Sequence, residues 1–513
     1  ERFFEESNRL TAAKELDKAL VTIDESVLLE PNNIRYLNTR LHAAGAAKDV
    51  DKAVDSAERI YVLDPDNTTN ILELARTMVW DNDLNGAARY YAYYHDRHPK
   101  DQGAYIEYAE VQMWRGDYDS CLEILEKYEA KFGSEEISTI SKADASAWAN
   151  RPSRSFELLE PILQKDAEHY NANYINTVAL YKHREPVAAV ESLEKVEKIS
   201  PDANENSFLR KFVTTPSRSS VTAGLEYRFD SDKVSIASAV LGGKYYFTPA
   251  TNVYALWRTD YRRVTGENEA VFGTEALHSA LRAGVTHRFS SWLMADAYVG
   301  AAKAEDNSDA IYGASLSLVP LDQLAFFLSY DHRYFVVTPR TVDLGLTNDA
   351  LRAGMHWDQT LLWYADLAAG YDVMSDDNNR WNADLSQKRV MLRSQYWNID
   401  AGVTAMLYGY DDEQIGNVNG YYAPELYQGY YLTGSFSRVL SGDDSINLLV
   451  NGGAFKDNNM ASFEMGGSLY LEGVFGIYRD WMFRASAGVD YSGRYYDESY
   501  RGASLQMYVT KRF

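Results

Sequence analysis

Residues Gly502-Ala-Ser-Leu-Gln-Met-Tyr-Val-Thr-Lys-Arg-Phe513 alternate between apolar and polar side chains. Taken in steps of two, one side is apolar apart from one lysine, and it holds Ala503, Leu505, Met507, Val509, Lys511 and Phe513. The other side is polar, and it holds Ser504, Gln506, Tyr508, Thr510 and Arg512. A period of two is that of a β-strand with two different faces, so the sequence predicts one strand along this whole stretch.

The same alternation extends upstream through the second half of the chain. Turn residues divide it into about sixteen strands, predicted at 219–230, 234–247, 252–264, 274–289, 291–304, 310–319, 322–335, 348–358, 360–373, 380–392, 396–410, 427–440, 445–456, 461–477, 480–492 and 501–513. The longer connections all follow odd-numbered strands (265–273, 336–347, 411–426 and 493–500), and the shortest all follow even-numbered ones (290–291, 358–360 and 478–480). An even strand number with long loops on one side indicates a transmembrane β-barrel. A soluble β-sandwich is the alternative, since one apolar face per strand would serve it too.

Composition narrows the function classes. The 513 residues carry a formal net charge of −23, which argues against a nucleic-acid partner because its phosphates would be repelled. The single cysteine, Cys121, excludes a disulfide within the chain. No apolar run of about 18 residues occurs, so no transmembrane helix is predicted. The 39 tyrosines suit a membrane interface, sugar stacking or any β-rich fold.

The first half of the chain repeats with a period of 34 residues. Pro31, Pro65 and Pro99 stand one period apart, and Pro201 follows three periods later. A second column contains small residues, namely Ala19, Ala53, Ala87, Cys121, Ser155 and Ala189. A third column, four residues further on, contains apolar ones, namely Ile23, Ala57, Tyr91, Leu125, Leu159 and Leu193. A unit of this length, with a small residue where two helices meet and a proline where the second ends, resembles the tetratricopeptide repeat.

This periodicity predicts the domain organisation. We expect about six repeats over residues 1–202, a linker at 203–218 and the barrel at 219–513, with further repeats before residue 1. The predicted fold class is therefore α + β multidomain, an α-solenoid followed by an antiparallel transmembrane β-barrel. Cys121 stands in the small-residue column and is expected to pack rather than react. His95 and His98 are expected at a solvated helix end rather than at a metal site.

If the apolar side of each strand faces lipid, the polar side lines a lumen. We predict a polymer path along this lining, formed by Glu226, Arg228, Arg258, Asp260, Arg262, Arg282, Asp296, Arg352, Tyr364, Asp366, Asp372, Asp400, Tyr408, Tyr410, Arg484 and Asp490, with Tyr254 and Tyr298 among them. The acids and arginines either pair across strands and brace the wall or act on a substrate. The barrel region carries a net charge of roughly −10 and the repeats roughly −13, so its carboxylates and tyrosines would suit a hydrated, cationic polymer.

Tetratricopeptide repeats joined to a sixteen-stranded barrel resemble the exopolysaccharide export porins of bacterial biofilm systems, which include the exporters of cellulose, poly-N-acetylglucosamine and Pel. Residues Asn419-Gly-Tyr-Tyr-Ala-Pro-Glu-Leu-Tyr427 are similar to a Gly-Tyr-(Phe/Tyr)-Ser-Pro-x-x-Tyr segment of the cellulose exporters, with Ala423 in place of serine. The matching loop residues are Gly420, Tyr421, Tyr422, Pro424 and Tyr427. Residues 338–349 are similar to a segment of the amino-sugar polymer exporters. The two similarities therefore favour different polymers.

The resemblance implies an outer-membrane location, with the repeats in the periplasm and Phe513 as the terminal aromatic residue that signals barrel assembly. It implies a linear exopolysaccharide as the substrate. The acidic charge favours a partly deacetylated amino-sugar polymer, of the Pel or poly-N-acetylglucosamine type, over cellulose. The expected partners are outer-membrane lipid and lipopolysaccharide, together with periplasmic biosynthetic or modifying proteins, such as a lipoprotein or a deacetylase, held by the repeats.

Two other function classes compete with export. A general or nutrient-uptake porin would have no need of a repeat scaffold. An outer-membrane hydrolase would need a catalytic site, and the sequence contains neither a His-Glu-x-x-His nor a Gly-x-Ser-x-Gly motif. We therefore predict no enzymatic activity, no catalytic residue, no cofactor and no metal.

Overall fold

The computed structural model describes residues 1–493 and 499–513. The chain folds as two compact units, Glu1–Ala145 and Ser146–Phe513. The first unit is helical, and the second contains further helices and a β-barrel. The division of the chain at residues 202 and 219 stays a prediction.

Helices occupy the chain before the first strand. Among the described residues they are α1 (Arg2–Ala12), α2 (Leu16–Leu29), α3 (Ile34–Ala47), α4 (Val50–Leu63), α5 (Thr68–Trp80), α6 (Leu84–Arg97), α7 (Gln102–Trp114), α8 (Tyr118–Phe132), α9 (Glu136–Trp148), α10 (Pro152–Lys165), α11 (Tyr170–Lys182), α12 (Pro186–Ile199) and α13 (Glu205–Thr214). In the first unit, α1 packs on α2, α3 on α4, α5 on α6 and α7 on α8. In the second, α11 packs on α12, and α13 lies within residues 203–218. None of these helices combines the length and the apolar composition needed to cross a membrane.

The repeating columns of the sequence form the helical core. Every member of the small-residue column is at most 1% exposed, which lets the helix backbones approach closely. Helices α2, α4, α6 and α12 each end two residues before the column's proline, as expected for a residue that cannot continue a helix. Cys121 is buried in this column, and burial raises the pKa of its thiol to about 12. The packing role predicted for Cys121 is confirmed.

A further column joins the two helices of each pair. The residue between them has a left-handed backbone with φ between 58° and 79°, at Lys14, Lys48, Asn82, Gly116, Asn150 and Arg184. An aspartate follows at three of these junctions and accepts a hydrogen bond from a first-turn backbone N–H, with N···O distances of 3.2, 2.9 and 3.2 Å for Asp49, Asp83 and Asp117. The left-handed residue ends one helix and the aspartate begins the next.

One expectation about the helices is wrong. The His95 ring is half-buried rather than solvated, and it packs edge-on against Tyr105 with 4.0 Å between ring centroids. Burial lowers the pKa of this imidazole. His98 stacks on Tyr94 at 4.6 Å. These histidines belong to aromatic packing, which one-dimensional spacing does not reveal.

The second half is a closed antiparallel barrel of sixteen strands in the part of the chain that is described. The strands are β1 (Ser220–Asp230), β2 (Ser235–Thr248), β3 (Thr251–Arg263), β4 (Glu275–Ser290), β5 (Leu293–Ala304), β6 (Asn307–Leu321), β7 (Leu324–Tyr334), β8 (Thr347–Asp358), β9 (Trp363–Met374), β10 (Arg380–Arg393), β11 (Trp397–Tyr410), β12 (Tyr427–Ser441), β13 (Asp444–Asp457), β14 (Glu464–Phe475), β15 (Trp481–Gly493) and β16 (Ser499–Arg512). Each strand pairs with its sequence neighbours, and β1 pairs with β16. The predicted barrel is confirmed, and a sandwich is excluded because no sheet edge remains among these strands.

The closing strand shows how the two faces are used. Met507 on its apolar side is 49% exposed on the outer surface. On its polar side Thr510 is buried, and its hydroxyl lies 2.8 Å from that of Thr222 on β1. Lys511, the exception in the apolar row, lies 5.1 Å from the centroid of the Trp481 ring. Apolar side chains therefore face outward and polar ones inward, as a membrane-spanning barrel requires.

The last helices dock on one end of the barrel, which we call the repeat-facing end. The Asp322 carboxylate, in the turn between β6 and β7, accepts hydrogen bonds from the backbone N–H and hydroxyl of Ser153 at 2.9 and 3.1 Å. It thereby caps the start of α10, whose own preceding residue, Arg151, provides no side-chain cap. Arg151 instead lies 3.4 Å from Asp358 at the end of β8. The long connections lie at the opposite, far end. Of these, 493–500 falls mostly outside the described residues.

Candidate functional site: the barrel lumen

The predicted lining residues lie on the strand faces opposite the exposed apolar side chains. Glu226, for example, stands between Leu225 and Tyr227, which are both exposed on the outside. Ion pairs join many of these residues across the inner wall, either between neighbouring strands or across one intervening strand. The strand alternation thus places them in the lumen. Whether one of these residues is available to a substrate depends on the partners that its side chain already has.

One group surrounds Asp260 on β3, which is 1% exposed. Its carboxylate accepts a hydrogen bond from the Ser238 hydroxyl at 2.6 Å and one from Arg258 at 2.8 Å. Arg258 also donates two bonds to Glu226, at 3.1 and 2.8 Å. The Arg262 guanidinium lies 3.7 Å away and donates to the Val336 carbonyl at 2.9 Å. These four predicted residues mainly neutralise one another and brace the wall.

A second group combines tyrosines with charges on β3, β4 and β5. The Asp296 carboxylate accepts hydrogen bonds from the Tyr254 hydroxyl at 2.9 Å and from the Thr286 hydroxyl at 2.7 Å. The Arg282 guanidinium lies 4.7 Å from the centroid of the Tyr298 ring. Asp296 is thus held by hydroxyl groups and not by a cation within ion-pair distance in the described chain. Its charge is less neutralised than that of Asp260.

The remaining predicted charges mostly have partners too. Arg352 donates two bonds to Asp372, at 2.7 and 2.8 Å, and Asp372 is almost fully buried. The other pairs, with their distances, are Asp366 with His356 (2.7 Å), Asp400 with Arg393 (2.9 Å), Arg484 with Glu472 (2.5 Å) and Arg228 with the Tyr500 hydroxyl (2.8 Å). Sequence analysis did not single out Arg393, His356 or Glu472, because strand register decides which residues face each other.

Aromatic rings stack across β11, β12 and β13. Tyr408 stacks on Tyr427 with 4.6 Å between centroids, and Tyr427 stacks on Phe455 at 5.8 Å. Arg380 lies 5.1 Å from the Tyr408 ring and 5.7 Å from the Tyr410 ring. Tyr364, on β9, lies beside Lys388 at 5.8 Å. The rings form a stacked aromatic platform in the wall, in which Phe455 is 1% exposed and Tyr427 lines an inner cavity.

A cavity of about 430 Å³ adjoins this platform on the β10–β15 side of the lumen. That volume is within the range of pockets that hold small ligands, about 300–1,000 Å³. The lining is rich in hydroxyl and amide groups and includes Asp400, Thr404, Tyr427, Tyr431, Thr433, Ser435, Asn451, Ser468 and Asp490. This part of the wall offers many hydrogen-bonding groups, in contrast to the paired charges around Asp260.

Three loops pack together at the far end. They contain the short helices α14 (Glu269–Phe272), α15 (Pro339–Asp343) and α16 (Glu413–Asn419), and α14 contacts both of the others. Val342 of α15 is fully buried in a cluster with Tyr298 and Ala302 of the inner wall. The loops therefore reach into the lumen and narrow it. Sequence analysis did not identify Val342, because its contact depends on how the loop folds.

The loop motif residues hold this loop cluster together. The Gly420 carbonyl accepts a hydrogen bond from the Thr338 hydroxyl at 2.7 Å, so the two segments that resemble different exporters are in contact. Gly420 has φ +82°, and an added Cβ would approach Arg340 to 2.5 Å. Tyr421 is buried and donates its hydroxyl to Asp376 at 2.8 Å.

The other motif residues link the loops to the strands. The Pro424 carbonyl accepts a hydrogen bond from the Tyr410 backbone N–H at 2.9 Å. The Tyr422 hydroxyl donates to Asp457, and Tyr427 begins β12 within the aromatic stack. This motif is thus a structural part of the loop cluster at the far end.

A comparison with known protein families supports the assignment of the helical repeats. A tetratricopeptide repeat family profile matches residues 81–139. These are tetratricopeptide repeats. No curated protein matches the chain. The tetratricopeptide repeats and the closed barrel together give the chain the repeat-plus-barrel architecture of the exporters it resembles.

Several solved structures are similar to parts of the chain. A "bacterial polysaccharide outer membrane secretin" matches with a TM-score of 0.47 and 14% identity, over 58% of this chain and 99% of that one. A tetratricopeptide repeat protein from Parabacteroides merdae matches with a TM-score of 0.34 and 15% identity, over 41% of this chain and 82% of that one. The protein MamA matches with a TM-score of 0.29 and 15% identity, over 32% and 95%.

Proposed function

We propose that this chain is an outer-membrane porin that exports a biofilm exopolysaccharide. The observation that carries the proposal is the inner wall of a closed barrel that combines stacked tyrosines with a cavity lined by hydroxyl and amide groups. Hydroxyls and amides can exchange hydrogen bonds with successive sugar units, and aromatic faces can support their rings. Many weak contacts of similar strength let a polymer slide.

For the polymer we propose a cationic, partly deacetylated amino-sugar chain of the Pel or poly-N-acetylglucosamine type. The barrel region is acidic, and some inward carboxylates are not matched by a guanidinium. One example is Asp384 on β10, because one of its buried oxygens has no hydrogen-bond partner in the described chain. Such carboxylates would attract ammonium groups. A neutral cellulose-type polymer is the alternative, favoured by the uncharged part of the cavity wall.

The repeats would stand in the periplasm, on the side where they join β1, and hold periplasmic biosynthetic or modifying proteins. Their stacked helices form the kind of extended surface that repeat proteins use for binding. Outer-membrane lipid and lipopolysaccharide would surround the apolar outer face of residues 219–513. Residues 1–202 would be the scaffold. A pull-down that compares the full chain with a chain lacking residues 1–145 would show whether the first unit captures a periplasmic protein.

Conductance through planar bilayers tests the transport function. The full chain should conduct with cation selectivity, and glucosamine oligomers should block the current more strongly than cello-oligomers. The Asp384→Asn substitution should lower both the selectivity and the block, while Asp66→Asn, an equal charge change in the first unit, should change neither. Anion selectivity would contradict the cationic polymer, and stronger block by cello-oligomers would favour cellulose. Mass analysis of the recovered oligomers should show unchanged lengths, whereas shortened products would indicate a hydrolase.

A further inference from the structure

The repeat-facing mouth of the lumen is basic, although the chain as a whole is strongly acidic. A cavity of about 590 Å³ opens there and is lined by four cationic side chains, Arg218, Lys244, Arg282 and Arg512. Among the described residues that line this cavity, Asp296 carries the one carboxylate. That carboxylate already accepts hydrogen bonds from the Tyr254 and Thr286 hydroxyls. The described lining of this mouth therefore contains more cations than carboxylates.

Two of the four lining cations have fixed partners. Arg218 pairs with Asp480 at 2.7 Å, and Arg512 donates to the Arg479 carbonyl at 2.7 Å. The other two lie beside aromatic rings, Lys244 at 5.8 Å from the centroid of the Tyr246 ring and Arg282 at 4.7 Å from that of the Tyr298 ring. Within residues 1–493 and 499–513, no carboxylate lies within 4.0 Å of either ammonium or guanidinium group, and the Arg282 Nε has no hydrogen-bond partner.

The last repeat adds another cation to the same mouth. Arg184 lies in the turn between α11 and α12, at the end of the barrel on which the last helices dock, and Arg288 lies near the same end of β4. Arg288 points inward, two positions beyond Thr286 of the cavity lining. Both arginines are half-buried, and neither has a carboxylate at ion-pair distance in the described chain.

Half-buried cations without a counter-ion are costly to the fold, because burial removes part of their hydration. Burial lowers the pKa of Arg184, and the distant Asp322 opposes that shift only in part. In a chain with 74 acidic residues, partners for these cations were available to the fold, yet the cluster has none in the described chain. The simplest physical account is that an anionic ligand completes the cluster. Because the cluster faces inward, away from the apolar outer surface, the ligand comes from the lumen and not from a lipid headgroup.

We infer that this mouth is a binding site for a carboxylate or phosphate group carried by a saccharide chain. Lys244, Arg282, Arg288 and Arg184 would bind the oxyanion. The lining hydroxyls of Ser220, Thr222 and Thr510 and the rings of Tyr246 and Tyr254 would bind the sugar that carries it. This inference goes beyond the proposed function, since block of the lumen by glucosamine oligomers holds or fails whatever binds at the mouth.

Titration calorimetry on the full chain in detergent micelles tests the site. The probes are inorganic phosphate, an acidic oligogalacturonate and a neutral malto-oligosaccharide. We expect the two anions to bind, the acidic oligosaccharide more tightly than phosphate, and the neutral one to bind at least about tenfold more weakly than the acidic one. Absence of binding by both anions would overturn the inference. Binding of phosphate alone would overturn the assignment to a saccharide.

Substitutions locate the binding. Lys244→Gln and Arg288→Gln should each weaken oligogalacturonate binding about tenfold or more, because each removes a charge-assisted hydrogen bond. Lys303→Gln, an equal charge change on the outer surface of β5, is the matched control and should leave binding unchanged. If a strand variant fails to form a barrel, Arg184→Gln, in a helical turn outside the barrel, provides the same test. Unchanged affinity in a folded Arg288→Gln or Arg184→Gln variant would place the anion elsewhere and refute the site.

Discussion

The repeats and the barrel use the same kind of amphipathic pattern in opposite directions. In the repeats the apolar columns pack inward, and Ile71 and Leu74 are fully buried. In the barrel the apolar columns point outward, and Val299 and Leu432 are 69% and 71% exposed. Charged pairs follow the same inversion, since they lie on the surface of the helices and inside the wall of the barrel. A sequence pattern therefore gives the two faces of an element, but the solvent around the fold decides which face is buried.

Ion pairs should show the largest difference between the two regions. Arg352→Met would leave the almost fully buried Asp372 without its bidentate partner, and we expect it to lower the free energy of unfolding by about 3–5 kcal/mol. Arg154→Met breaks an exposed pair with Glu157 on α10 and should cost about 0–1 kcal/mol. Urea unfolding of the full chain in detergent, followed by tryptophan fluorescence, measures both. Equal costs would mean that the lumen wall is as well solvated as a helix surface.

Exposed apolar residues should behave differently because their solvents differ. Leu225→Arg places a charge on the lipid-facing side of β1 and should cost about 2–4 kcal/mol in a bilayer if the residue lies near the midplane. Val62→Arg makes the same change on an exposed position of α4 and should stay within about 0.5 kcal/mol. Unfolding in lipid vesicles compares the two. A small cost for Leu225→Arg, equal to that of Val62→Arg, would argue against lipid contact at this face.

The left-handed junctions should give the smallest effect. Lys48 has φ 60°, and Lys48→Gly should stabilise the repeats by about 1 kcal/mol because glycine adopts this conformation without strain. Gly116 allows the opposite substitution, since its φ is +79° and an added Cβ would meet no atom within 4 Å. Gly116→Ala should destabilise the repeats by about 1–2 kcal/mol. Thermal unfolding of the full chain, followed by the circular dichroism of the helices, measures both changes in stability. Shifts of the same sign for the two variants would contradict the role of the left-handed backbone.

Much of the fold could be predicted because both halves are periodic. The strand number was confirmed, and β3, predicted at 252–264, spans Thr251–Arg263. The small-residue column that includes Cys121 proved to be core. The junction column from Lys14 to Arg184 was missed, because three of its six residues are lysine or arginine, which do not indicate a left-handed backbone as asparagine and glycine do. Periodicity reveals repeated contacts better than it reveals repeated backbone conformations.

For the lumen, the sequence predicted only which face of each strand lines it. Alternation placed Glu226, Arg258 and Asp260 on one side of their strands, but their mutual pairing depends on the register of β1, β2 and β3. The partners Arg393 and His356 lie on other strands, and no spacing in the sequence joins them to Asp400 and Asp366. The role of each charge therefore depends on neighbours that only pairing supplies.

By itself, the sequence determined the two periods, 34 and two, and with them the repeats, the strands and the amphipathic closing strand that ends at Phe513. These properties are local, since each follows from side chains a few residues apart along one element. The tertiary structure alone decided which charges neutralise one another, how the loops carrying Val342 and Gly420 narrow the far end, and which cations line the repeat-facing mouth. Those contacts join residues that are distant in sequence, and only closure of the barrel and docking of the last helices bring them together.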